Sequence, residues 1–216
     1  MMKFIKFILL LLIISSCSNK NVQLPKLGEK GITEIYNTSK IWFFFNIENN
    51  DTIAVINKSN KITNTNLIFN IDKRLPLKIV IPEVYKIQEK LKEKSIHKTE
   101  GMRNYFSYAD TVSKTFSLLD FTSTEYIFDK DKFDKNYNQI KEDSTKTPVI
   151  LNIKINNSDY LIPELKTKFD YDSIRNIILV LKFDGDLPYQ EYLSVKAKLY
   201  NSDFPVEKSE YIYNEE

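Results

Sequence analysis

The apolar positions of the chain fall into short blocks whose spacing switches between two and three-to-four, and each switch predicts a change from strand to helix. IWFFFNIE (41–48) is aromatic and β-branched throughout and reads as a well-buried strand. Asn49, Asn50 and Asp51 are turn formers, and TIAVIN (52–57) behind them makes a hairpin. After the polar KSNKITNTN (58–66), Leu67, Phe69 and Ile71 alternate with Ile68 and Asn70, which predicts a strand over 67–71. Val80, Val84, Ile87 and Leu91 then recur at spacings of four, three and four, an apolar stripe on one face of a helix. Proline is tolerated in a first helical turn and not in the interior, so Pro82 places the start of the regular helix near Ile81.

The stretch 95–113 is polar with scattered aromatics, FTSTEYIF (121–128) reads as a strand, and DKDKFDKNYNQIKEDSTK (129–146) is dominated by charge and turn formers, as a linker would be. Beyond it the earlier order resumes. VILNIKI (149–155) is a strand, Asn156, Asn157 and Ser158 a turn, and DYLI (159–162) its hairpin partner. PELKTKFDYDS (163–173) is a short polar segment, 177–183 a strand, 189–200 a helix, and KSEYIYN (208–214) a closing strand.

One motif occurs twice. LIFNIDKRLPL (67–77) returns 112 residues later as LVLKFDGDLPY (179–189), so that Leu67, Asp72, Leu75 and Pro76 fall on Leu179, Asp184, Leu187 and Pro188. Leu77 falls on Tyr189, and a strand with an Asn-Asn turn precedes both copies. Glu-Tyr-Ile follows both, at Glu125 and Glu210. A single long period implies two domains or half-domains, since a solenoid needs three or more short repeats. The expected fold is α+β, two related small units over 41–130 and 148–216, each a mixed sheet with helices on one face, joined by a linker over 131–147. Asp72 and Asp184, at strand ends before helices, are capping or turn residues first and partner-binding residues second. Pro76 and Pro188 fix the backbone at the helix start, and Tyr189 is weighed in the same way as the two aspartates.

The N-terminus changes the picture of where this happens. Lys3 and Lys6 precede an apolar run over 7–14 that is too short to span a bilayer, and Ser15, Ser16 and Cys17 follow. Ile-Ser-Ser-Cys resembles the bacterial lipobox, which implies a signal peptide over 1–16, lipid attachment at Cys17, and a polar tether over 17–40. Two acyl chains suffice for stable anchoring, so the membrane is a partner without being crossed. Cys17 is the only cysteine, which rules out a disulfide within the chain. Loss of Lys3 and Lys6 with the signal reduces 31 basic residues to 29, against 29 acidic, and leaves no basic excess for nucleic acid. Ser18, with no acid before Glu29, implies the periplasmic face of the outer membrane of a Gram-negative cell.

The second copy, NIILVLKFDGDLPYQEYLSVKAKLY (176–200), resembles the periplasmic domain of the ExbD and TolR family: a strand ending in aspartate, a short turn, an aromatic residue opening a helix, and a last strand. The matching positions are Asp184, Tyr189, the helix to Tyr200, and 210–214. The resemblance covers about 70 residues here and, more weakly, about 90 in the first copy. It implies an envelope partner, either a protein of an energy-transducing or stabilising complex or a cell-wall strand. The family's membrane-spanning helix with its proton-handling aspartate has no counterpart here, and its first helix looks shortened in PELKTKFDYDS and missing in KSNKITNTN.

Candidate chemistry is sparse. His97 is the sole histidine and lies among charges, which leaves no Cys-His pair, no zinc cluster, and no G-x-S-x-G elbow for a serine nucleophile. The carboxylates 129, 131, 142 and 143 lie in the expected linker as solvated charge. Four glycines give no phosphate-cradling loop, and no cofactor is expected. The expectation is a non-enzymatic binding or accessory lipoprotein of the cell envelope; the alternative is a lipoprotein that acts on glycans or binds a nutrient.

Overall fold

A computed structural model of the chain describes residues 21–59, 64–93, 101–143, 145–155, 157 and 161–214. The fold is α+β, with two sheets built around the two copies of the repeated motif. The first sheet has six strands: β1 (Lys26–Leu27), β2 (Thr38–Glu48), β3 (Asp51–Asn57), β4 (Asn66–Ile71), β5 (Asn104–Asp110) and β6 (Thr115–Asp120). Across it the order is β6, β5, β4, β2, β3, and β1 continues the edge of β5 that β4 leaves free. Asn49 (φ 50°) and Asn50 (φ 68°) form the two-residue turn between β2 and β3, in the left-handed region that asparagine tolerates.

The second sheet runs β7 (Glu125–Ile127), β10 (Val206–Tyr213), β9 (Ile177–Asp184), β8 (Thr147–Ile153), all parallel. The described residues also form five helices: α1 (Leu77–Glu93), α2 (Lys130–Asp143), α3 (Leu161–Lys168), α4 (Tyr171–Ile174) and α5 (Tyr189–Tyr200). Ile41, Phe43, Phe69 and Ile71 of the first sheet, Val80, Val84 and Ile87 of α1, Leu179, Leu181 and Phe183 of β9, and Tyr192 and Leu193 of α5 belong to one continuous core.

The two copies take equivalent places. β4 lies between β2 and β5, β9 lies between β8 and β10, all these pairings are parallel, and α1 and α5 follow their strands through matching turns. Asp72 Oδ1 accepts the Arg74 N–H at 3.1 Å, as Asp184 Oδ1 accepts that of Asp186 at 2.9 Å. The copies then meet. Pro76 and Pro188 pair across an antiparallel bridge, Leu77 N–H donates to Leu187 O (3.0 Å) and Tyr189 N–H to Leu75 O (2.8 Å). Lys78 N–H donates to Gly185 O and Gln190 N–H to Lys73 O, again a reciprocal pair. These bonds satisfy the first two N–H groups of each helix, so α1 starts at Leu77 instead of near Ile81, and Pro82 lies inside it.

Several boundaries differ from the sequence reading. The expected linker is α2, whose Phe133, Tyr137 and Ile140 pack with Val180 and Tyr211 on the face of the second sheet turned away from the core. The last strand of the first copy is β5, inside the stretch read as polar, because Phe106 and Tyr108 face the core. The segment 121–128 supplies β7, which crosses to the second sheet, so Glu-Tyr-Ile at 125 and at 210 are neighbours (Tyr126 beside Glu210) and not equivalents. Of the expected hairpin strand 159–162, Leu161 and Ile162 instead open α3 and, with Leu165, bury a helical face, while Asp159 and Tyr160 lie outside the described residues. The expected tether is fixed from Gln23 on, through Lys73 N–H to Gln23 O, the pairing of β1 with β5, and Ile32 bonded to Leu118 in both directions at 2.9 Å. Cys17 and His97 lie outside the described residues.

Candidate binding cleft

A cleft of about 770 Å³ is bounded by elements of both sheets. Arg103 at the entry to β5, the segment from Leu119 to Thr124, the last turns of α5 and the start of β10 line it. Its floor follows from helix spacing. Tyr192 and Lys196 are four residues apart, so both stand on the face of α5 that lies over β10, where Glu210 points inward and is 2% exposed. Tyr192 donates its hydroxyl to Glu210 Oε2 at 2.8 Å, and Lys196 Nζ donates to Glu210 Oε1 and to Thr124 Oγ1 (3.1 Å). The Tyr192 proton is thereby committed, so its oxygen accepts from the Tyr126 hydroxyl at 3.3 Å.

Burial pushes the Tyr126 and Tyr192 phenols well above their ordinary value, and the Glu210 charge adds to it. They are fixed donors. At the rim Arg103 Nη1 donates to Asp120 Oδ2 (2.6 Å), while Asp120 Oδ1 accepts from the N–H and hydroxyl of Thr122. Burial raises the Asp120 carboxyl, but these hydrogen bonds outweigh it and hold the group below the usual carboxylate range. Lys208 pairs with Glu125 at 2.7 Å. Arg103, Lys196 and Lys208 thus each hold a carboxylate.

That pairing limits the chemistry. A general acid for glycoside cleavage needs a carboxyl raised in pKa; Asp120 is shifted the other way, and Glu210 spends both oxygens on Tyr192 and Lys196. Among the described residues no group of three His, Cys, Asp or Glu could hold a metal ion. The cleft offers apolar surface from Leu119, Leu199, Phe204 and Val206 beside paired charges, which suits holding a ligand of mixed polarity.

The repeated residues lie elsewhere, at the junction of the copies. Asp72 is fully buried and accepts from Gln23 N–H (3.0 Å) and from Arg74 Nε and Nη2 (2.8 and 2.9 Å), with Arg74 4.1 Å above the Phe45 ring. Tyr189 is also fully buried, 5.6 Å edge-on from Phe106, and its hydroxyl has no partner among the described residues. Pro76 and Pro188 face each other, and Asp184 is buried in its turn. Asp72 and Asp184 each close their own turn, and Tyr189 meets the other copy through its backbone N–H, with all three side chains buried. The Tyr126–Tyr192–Glu210–Lys196 cluster is absent from the sequence reading; its one local signal is Tyr192 and Lys196 at helical spacing. Among the described residues no helix is long and apolar enough to cross a membrane. Compared with known proteins, the chain matches no family model, no curated protein and no solved structure.

Proposed function

We propose that the chain is a lipid-anchored protein of the bacterial cell envelope, a non-enzymatic binding or accessory component whose cleft holds part of its partner. The carrying observation is the cleft itself, in which Arg103–Asp120, Lys196–Glu210 and Lys208–Glu125 are paired within the protein. Neutralised charges beside apolar surface favour recognition over turnover. The lipobox-like Ile-Ser-Ser-Cys supports the anchor, and the N-terminal path supports a short one. Cys17 lies six residues before Gln23, whose N–H is bound to Asp72, so the body is held within about 20 Å of the leaflet.

The resemblance of Asp184, Tyr189, α5 and β10 to ExbD and TolR supports an envelope partner, a protein of such a complex or a peptidoglycan strand, by analogy of fold alone. A second reading, nutrient binding, draws on the cleft volume, which lies in the range of small-molecule sites. The test combines two arms. Detergent-phase partitioning of the wild type that is lost in Cys17→Ala supports the anchor. A photo-reactive residue at Tyr200, on the exposed rim, should trap an envelope protein or wall fragment in cells; hydrolysis of a glycan panel by the purified chain with no such adduct overturns the proposal.

A further inference from the structure

Apart from β1, whose outward Lys26 N–H and C=O are bound by the Gln190 side chain, the two sheets present four outer edges among the described residues, and three of them are protected. β6 is bridged at Leu118 by Ile32, β7 is three residues long, and β8 carries Pro148 as its second residue. The fourth, β3, is seven residues long, and its central five, Thr52 to Ile56, contain neither charge nor proline. The two-residue turn makes Glu48 and Asp51 a hydrogen-bonded pair, and by alternation Ile53, Val55 and Asn57 also direct their N–H and C=O groups to β2. Those of Thr52, Ala54 and Ile56 therefore point outward, and none has a backbone partner there among the described residues.

We propose that this edge pairs with the same edge of a second copy, antiparallel, about a two-fold axis through Ala54. The strand is complementary to itself. Ala54 faces Ala54 of the other copy, Thr52 faces Ile56, Ile53 faces Val55, and every outward N–H finds a carbonyl. Charge agrees with the register: Asp51 falls opposite Asn57 and Lys58 opposite Asn50, so no like charges face each other. The side chains agree as well. Ala54 and Ile56 pack on the core, so Ile53 and Val55 lie on the other face, where Val55 pairs with Phe44 and Phe44 stacks on Trp42 at 6.4 Å. Pairing joins these two half-exposed aromatic patches into one strip across the axis and makes a single sheet of the two six-stranded ones.

The test uses the full chain in mild detergent. Sedimentation equilibrium should give a dimer, and Ala54→Cys should form a disulfide-linked dimer on air oxidation, since Cα atoms in such a pair are about 5.5 Å apart. Asn57→Cys should not, its two copies being roughly 20 Å apart in this register. Ala54→Pro removes an outward N–H and no β2 bond, and should weaken dimerisation at least tenfold with the circular dichroism unchanged; Val55→Lys gives a second variant should that one misfold. A wild type that stays monomeric, a dimer indifferent to both substitutions, or an Ala54→Cys variant whose new thiol links to a different envelope protein overturns the proposal.

Discussion

Leu77 and Tyr189 stand at equivalent positions of the two copies, and each donates its backbone N–H to the other copy, Leu77 to Leu187 O and Tyr189 to Leu75 O. The contact is self-complementary, as between identical subunits, but within one chain. It leaves the two side chains to differ. Leu77 is wholly apolar and fully buried; Tyr189, equally buried, brings a hydroxyl with no partner among the described residues into the core.

Tyr189→Phe should therefore leave stability within about 1 kcal/mol of wild type or raise it, because no hydrogen bond is lost and a desolvated hydroxyl is removed. Tyr192→Phe is the contrast. It strips Glu210 of a donor and leaves a buried carboxylate oxygen short, which should cost about 1–3 kcal/mol. Urea denaturation of both variants decides between these directions, and a destabilised Tyr189→Phe would mean that its hydroxyl has a partner.

The buried pair of Lys196 and Glu210 should behave asymmetrically. Glu210→Leu or Lys196→Met alone strands a charge beneath the cleft and should cost about 3–5 kcal/mol. The double variant removes both charges and should recover most of that loss. A double-mutant cycle in denaturant measures it, and additive losses would show that the two groups do not interact.

The parts that were legible in sequence are those decided within a few residues. Asn49-Asn50 announces its turn because asparagine accepts a left-handed backbone, and β4 and β9 announce themselves by alternation before a shared Asp and Leu-Pro. α2 was hidden because Phe133, Tyr137 and Ile140 are diluted among charges, and β5 because adjacent Tyr105 and Phe106 bury opposite faces and erase the alternation. A run as short as DYLI fits strand or helix equally, and tertiary packing chose helix for Leu161 and Ile162. The cleft needs β7 to cross between sheets and α5 to stand over β10. Periodicity tells which face is buried, but not which polar group on that face finds a partner.

Acid should loosen the junction through Asp72. Burial raises its carboxyl, but the Arg74 side chain and the N–H groups of Gln23 and Arg74 outweigh that and hold it below its ordinary value. The folded chain thus keeps the ionised form at a pH where the unfolded chain is already protonated. The resulting stability is complete above about pH 4, the unfolded carboxyl range, and is lost as pH falls through the lower folded value. Asp72→Asn should flatten the fall in stability below about pH 4, seen by thermal melts at stepped pH. Asp110 and Asp120 are shifted in the same direction, so the slope should shrink and not vanish.

Gly185 should be irreplaceable for reasons of space, not of backbone angle. Its N–H donates to Tyr213 O at 2.6 Å and its carbonyl accepts from Lys78, so the turn is pressed between the end of β10 and the start of α1. A Cβ there would overlap Asn214 Oδ1, lie 2.9 Å from Tyr213 O and 3.1 Å from Lys78 Cβ. The Asn214 side chain can swing away; the Tyr213 carbonyl cannot without losing its bond. Gly185→Ala should cost about 1–3 kcal/mol, and Asn214→Ala in the same chain should recover only the smaller part. At Gly101, where a Cβ would meet nothing within 4 Å, the strain is in the angle instead (φ 96°), and alanine there should cost stability with no clash to relieve. Recovery of full stability by Asn214→Ala would show that the carbonyl yields and that the turn is looser than its contacts imply.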